Sequence, residues 1–179
     1  MGIEPGNNLE VLGATLYGFV RACINLKIFA GFMEEPYTEG IEPMRWYPMK
    51  RLFDMEKAAI QNFEDASPIL ERVGIEMINA WYNLGPGRAI IKRGIDFLYF
   101  QTGSQGYRSV VKGPEDFIGS FALIDMDEKK GAALIRSTTP FNKDLERGII
   151  IGGMSAPGDL DYVDVTNEGG GNLFKIEFH

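Results

Sequence analysis

From Ser67 to Gly85 apolar side chains return at steps of three and four: Leu70, Val73, Met77, Trp81 and Leu84. That spacing is one face of an α-helix. Ser67 is placed to cap it, Pro68 suits a first helical position, and Gly85-Pro86 stops it. Leu52, Met55, Ala59 and Phe63 form a second stripe, which predicts a helix from about Tyr47 to Asn62. Residues 11–33 make the longest apolar run. Arg21 and Lys27 interrupt it, each at a cost of roughly 2.5–3.5 kcal/mol near a bilayer centre. A core helix is the expectation there. In residues 88–101, Ile91, Ile95 and Leu98 fit a helix, whereas Ile95, Phe97 and Tyr99 alternate like a strand; helix is again the expectation.

After Pro114 the period changes to two. Residues 116–126 place Phe117, Phe121 and Leu123 on one face, and "DEKKG" leads tightly into residues 132–138, a hairpin signature. Residues 160–166 and 172–178 predict a second hairpin around Gly169–Gly171. There Phe174, Ile176 and Phe178 alternate with Lys175 and Glu177, so one face is buried and the other wet.

Between the hairpins runs "RSTTPFNKDLERGIIIGGM". Its three consecutive isoleucines, Ile149 to Ile151, suit a buried strand, but Pro140 cannot donate a ladder hydrogen bond and Asn142 is a good helix cap. Leu145, Ile149 and Gly152 then share one helical face. β-branched residues lose only tenths of a kcal/mol in a helix, which burial outweighs. Gly152 and Gly153 let this helix approach the sheet or end there.

The pattern predicts one α+β domain over residues 1–179, with N-terminal helices packed on an antiparallel sheet. Residues 1–113 would form a mainly helical layer. Residues 114–179 would form the sheet with its linking helix, a hairpin–helix–hairpin core. Four strands under a helical cover can enclose an apolar space for a small molecule. The chain is long enough to remove about 70% of its unfolded surface from water.

Charge narrows the partners. The net charge is −7 and the basic residues are scattered, with Lys50-Arg51, Lys92-Arg93 and Lys129-Lys130 no more than pairs. Neither nucleic acid nor an anionic membrane is an expected partner. No basic, apolar leader opens the sequence, and the cytoplasm is the expected location. Cys23 is the single cysteine, which excludes an intramolecular disulfide, and it reads as a buried inert thiol. The single histidine, His179, is the last residue. Ser–His–Asp and Cys–His catalysis, histidine zinc sites and a proximal haem histidine therefore lack their imidazole. Asp159, Asp161 and Asp164 miss the spacing of a calcium loop, and Glu34-Glu35 reads as surface charge. No catalytic residue, metal site or cofactor is expected.

Aromatic side chains are what the sequence does supply. Trp46, Tyr47, Trp81, Tyr99, Phe100, Tyr107 and Phe121 are candidates to line a ligand cavity, with Tyr and Trp contributing polar tips. Arg136, at the end of an apolar strand, is placed to meet a ligand carboxylate at the pocket mouth.

"WYP" before a helix, "SPILERVG", and "STTPFNKDLERGIIIGG" before two closing strands together resemble the 4-vinyl-reductase-like bacterial sensor domains. Those share a ligand-binding fold with the haem–nitric-oxide/oxygen (H-NOX) domains and the TRAPP subunits. The resemblance implies a cavity between sheet and helices, used to sense small molecules or gases. It also implies a signal passed to a partner in trans or through a homodimer. Haem binding in H-NOX domains needs a proximal histidine, and many relatives carry cysteines near the closing strands; this chain has neither. The expected function is thus a non-enzymatic, small-molecule-binding sensor domain. The alternatives are a structural assembly subunit or, less favoured, a reductase or isomerase.

Overall fold

A computed structural model describes residues 8–28, 40–167 and 171–179; Glu34-Glu35, Gly169 and Gly170 lie outside them. Strand β1 (Glu10–Leu12) runs straight into helix α1 (Gly13–Asn25). No side chain caps α1. Instead the Gly13 and Ala14 N–H groups donate to the carbonyls of Arg45 and Pro43, at 2.7 and 2.8 Å. Gly13 permits this approach, because a Cβ there would strike the Glu42 carbonyl and lie 2.9 Å from the Tyr47 ring.

Tyr47, expected at the start of a helix, instead lies with Trp46 in strand β2 (Trp46–Pro48). The pyrrolidine ring of Pro48 pushes the residue before it out of the helical region. β2 pairs antiparallel with one side of β1, and β3 (Val111–Lys112) with the other, giving the order β2-β1-β3. The helical pattern had concealed this small sheet.

Helix α2 (Lys50–Ile60) buries Leu52, Met55, Glu56 and Ala59, and stops before Phe63, which is exposed. Helix α3 (Ser67–Leu84) spans the expected range, but Ser67 does not cap it. The Ser67 N–H is instead received by the Asp65 carboxylate at 3.0 Å. The expected helix over 88–101 divides into α4 (Gly87–Ile90) and α5 (Gly94–Thr102). Asp96 holds the break by accepting the backbone N–H groups of Lys92 and Arg93 at 3.1 and 2.8 Å. Asp159 accepts the Gly94 N–H from across the molecule at 2.9 Å.

Two short turns, α6 (Tyr107–Val110) and α7 (Glu115–Ile118), lead to the main sheet. Phe117 therefore lies in a helical turn, 38% exposed, and does not share a strand face with Phe121. Gly119 makes the corner at φ +67, where any Cβ would collide with the Thr138 backbone.

The main sheet comprises β4 (Phe121–Asp127), β5 (Ala132–Ser137), β6 (Val163–Thr166) and β7 (Leu173–Phe178), in the antiparallel order β4-β5-β7-β6. Helix α8 (Lys143–Ser155) links the two hairpins, and Asn142 caps it by accepting the N–H groups of Asp144 and Leu145. Phe174, Ile176 and Phe178 of β7 are buried and alternate with exposed Lys175 and Glu177, as the period of two requires. The close approach at the end of α8 is made to helices, not to the sheet. A Cβ on Gly152 would lie 3.0 Å from Ile75 of α3, and one on Gly153 would meet the Phe97 ring of α5. Among the described residues no helix is long and apolar enough to cross a membrane.

Candidate functional site

The candidate aromatic residues fall into three separate places. Trp46 and Tyr47 belong to the small sheet. The Lys112 ammonium sits 4.5 Å from the Trp46 ring centroid. The Tyr47 hydroxyl donates to the Gly40 carbonyl at 2.7 Å and accepts the Glu42 N–H at 2.8 Å, tying down the loop before β2.

Tyr107 and Phe121 lie in the core. Phe121 and Phe141 flank the Tyr107 ring at centroid distances of 6.0 and 5.6 Å, the latter edge-on. The Tyr107 hydroxyl donates to the Ile118 carbonyl. Burial, reinforced by the charge of Glu146, holds its pKa well above the ordinary tyrosine range.

Trp81, Tyr99 and Phe100 are brought together. Trp81 of α3 stacks on Phe100 of α5, with centroids 5.1 Å apart and planes inclined by 27°. Phe97 supports Phe100 from within at 6.3 Å. Ile90, Tyr99, Phe100, Gly103, Ser104 and Gln105 line a groove of about 450 Å³. The chain forms one wall by doubling back after α5: a Cβ on Gly106 would lie 2.6 Å from the Gln101 Cα. Tyr99 is 48% exposed, and its hydroxyl reaches Glu128 at 3.4 Å.

Arg136 is remote from the core cluster in orientation. Ala133, Ile135 and Ser137 of β5 point into the core, so Arg136 projects from the opposite, exposed face, paired in register with Ala122 and Leu173. Leu173 borders a smaller hollow of about 180 Å³ with Gly171, Asn172 and Lys175.

A polar cluster that the pattern analysis passed over lies inside the molecule. Glu146 of α8 is 1% exposed. One of its oxygens accepts the Thr139 hydroxyl. The other accepts Ser137 Oγ at 2.8 Å and Lys143 Nζ at 2.9 Å. Lys143 also donates to Ser137 Oγ at 3.1 Å and to the Thr139 carbonyl at 3.0 Å. Burial raises the Glu146 pKa, while the Lys143 ammonium and the hydroxyl donors draw it back. Glu56 of α2 is 8% exposed, and its Oε1 has no hydrogen-bond partner among the described residues. Burial first, and the Glu146 charge second, push its pKa up to about 8. The signal was present in the pattern: Leu52, Glu56 and Ala59 fall at i, i+4 and i+7, so a carboxyl group stood on an apolar stripe.

The sequence matches no protein-family model, and no curated protein matches it. Solved structures do match. An H-NOX protein from S. oneidensis in the Fe(II)NO state superimposes with a TM-score of 0.70 at 9% identity, over 94% of this chain and 99% of that one. An oxygen-binding H-NOX domain related to soluble guanylate cyclases gives 0.65 at 15% identity, over 93% and 94% of the two chains. A third structure concerns modulation of haem redox potential through protein-induced porphyrin distortion. It gives 0.64 at 12% identity, over 93% of this chain and 98% of that one.

The chain has the H-NOX fold. The hairpin–helix–hairpin core expected from the alternation is the sheet side of that fold, and α1–α5 contribute its helical side. Within the H-NOX fold of this chain, the stacked Trp81–Phe100 pair is half-buried, whereas Glu56 and Glu146 are buried.

Proposed function

We propose that this chain is a regulatory domain that binds a small apolar or amphipathic molecule in the Tyr99–Phe100 groove without converting it, and signals through a partner chain. The observation that carries the reading is an open groove of about 450 Å³ with Phe100, which stacks on Trp81, in its wall. Its walls are apolar at Ile90 and Phe100 and polar but uncharged at Ser104, Gln105 and the Tyr99 hydroxyl. A neutral planar or amphipathic molecule suits that lining better than a strong acid. Arg136, on the outer face of the sheet, does not line this groove.

A haem, which one structural neighbour is described through, does not fit the imidazole and thiol donors of this chain. His179 is exposed at the chain end, where its ring stacks on Tyr162 at 4.9 Å and its backbone pairs with Asp161 and Tyr162. The Cys23 thiol is buried, and burial pushes its pKa up to about 12, so it offers no thiolate at neutral pH. The space between α5 and α8 is closed by the Phe97 ring against Gly153.

Native mass spectrometry of the protein as purified, followed by displacement with a neutral fluorescent hydrophobic probe, tests the reading. The expected result is one probe bound per chain, quenching of Trp81 emission, and loss of binding in Phe100→Ala. Probe binding unchanged in both Phe100→Ala and Tyr99→Ala would remove the groove as the site.

A further inference from the structure

We propose that Ser137, Thr139 and Glu146 form a recognition site for a primary ammonium group, filled from within by Lys143, and that this tethered cation locks the joint between β5 and α8. The site stands apart from the ligand groove and does not depend on that reading.

All four residues fall within 137–146, where the chain leaves β5, turns at Pro140 and enters α8. A lysine ammonium carries three protons and has no acceptor capacity. Three oxygens receive those of Lys143: Glu146 Oε2 at 2.9 Å, the Thr139 carbonyl at 3.0 Å and Ser137 Oγ at 3.1 Å. The hydroxyl protons are already placed. That of Ser137 goes to Glu146 Oε2 at 2.8 Å, and that of Thr139 goes to the other carboxylate oxygen. Ser137 Oγ therefore turns lone pairs toward the ammonium. A tripod of acceptors matches –NH3+ and not the planar fork of a guanidinium.

The tripod is held in place from both ends by main-chain bonds. The Ser137 N–H donates to the Asn172 carbonyl at 2.7 Å, and the Thr138 N–H to the Ser120 carbonyl at 2.9 Å. These tie the end of β5 to the chain beside it on each side. On the helix side Asn142 caps α8, and its carbonyl accepts the Glu146 N–H at 3.0 Å. Ser137, Thr139 and Glu146 are buried, whereas the Lys143 side chain is 20% exposed. The acceptors thus lie inside and the aliphatic stem reaches them from the surface. The stem marks the path by which a free amine can enter once the stem is cut back.

Charge makes an occupant necessary. A carboxylate removed from water needs a counter-charge, and deleting one partner of a buried pair leaves the other uncompensated. Lys143 supplies that charge to Glu146. Because α8 packs on α3 and α5 and touches β6, the lock at its first turn fixes how the helices meet the sheet.

Chemical rescue of Lys143→Ala tests this, on the full chain in mildly alkaline buffer at constant ionic strength. The variant is expected to melt below the wild type. Methylammonium chloride should raise its midpoint with the logarithm of concentration, as a ligand of the folded state does. Tetramethylammonium chloride, charged but without an N–H, should shift the variant no more than it shifts the wild type. Lys143→Met, whose side chain fills the path, should not respond to methylammonium. The site is overturned if both salts shift Lys143→Ala equally, or if neither shifts it. Should Lys143→Ala fail to fold in every buffer, the wild type decides. Its 15N-labelled lysine side chains should then show one slowly exchanging ammonium signal with cross-relaxation to the Ser137 Hβ protons. Ammonium signals that all exchange rapidly with water would remove the site.

Discussion

Gly74 of α3 and Gly148 of α8 lie where the two helices meet, and main chain of the facing helix occupies the space that a Cβ on either would need. A Cβ on Gly74 would run into the Leu145 carbonyl and lie 2.9 Å from the Ile149 nitrogen and 3.1 Å from the Gly148 carbonyl carbon. A Cβ on Gly148 would run into the Glu71 carbonyl and lie 2.8 Å from its carbon. These obstacles are main chain, which cannot turn aside as a side chain can. Arg147, one residue away, pairs with Glu71 across the same contact.

Gly148→Ala is therefore expected to destabilise the fold. Alanine would gain about 1 kcal/mol of helix propensity, but overpacking a tight contact costs about 1–3 kcal/mol, and here the obstacle is backbone. Gly18→Ala in α1 provides the opposite case, since among the described residues a Cβ there meets only the Met77 terminal methyl at 4.0 Å. It should stabilise by about 0.5–1 kcal/mol. Urea denaturation of the two variants measures both signs.

The α8 cap gives a second measurable quantity. The Asn142 side-chain oxygen accepts the N–H groups of Asp144 at 2.8 Å and Leu145 at 3.4 Å. Asn142→Ala should cost about 1 kcal/mol, and Asn142→Asp should retain most of the stability. The midpoints of chemical denaturation, at unchanged slope, are the readout.

Ligand binding, where present, should weaken at least about tenfold in Phe100→Ala, equivalent to about 1.4 kcal/mol. Phe100→Leu should lie between the variant and the wild type, because it keeps apolar area but loses the ring stacked on Trp81. Trp81 fluorescence titrations with the same neutral probe distinguish the three.

Cys23 should be silent to thiol reagents in the native state. It is buried and its pKa is about 12, so almost no thiolate exists at pH 8. Labelling by a disulfide reagent should rise only with added denaturant, following global unfolding. Fast labelling of the folded protein would contradict the packing of α1.

Local alternation was enough to locate α3, α8, both hairpins of the main sheet and the wet and dry faces of β7. In each, the period recurs over enough positions for burial to follow from the pattern alone. Three-residue strands cannot repeat a period. β1 and β2 therefore looked like the edges of helices, and it is their pairing with each other, and of β1 with β3, that defines them. The break between α4 and α5 was likewise hidden, because it rests on Asp96 folding back onto Lys92 and Arg93 and on Asp159 from 65 residues away.

The candidate site divides in the same way. Its aromatic residues were visible as residue types, yet composition says nothing of which rings meet. The chain's own residue order determined an α+β core with one imidazole at its very end and one thiol in an apolar helix. Tertiary structure decided that Trp81 meets Phe100 while Tyr107 meets Phe121, and that two glutamates separated by 90 positions share one interior. The reason is physical: periodicity reports which side of an element avoids water, whereas the identity of the neighbour on that side depends on how separate elements cross.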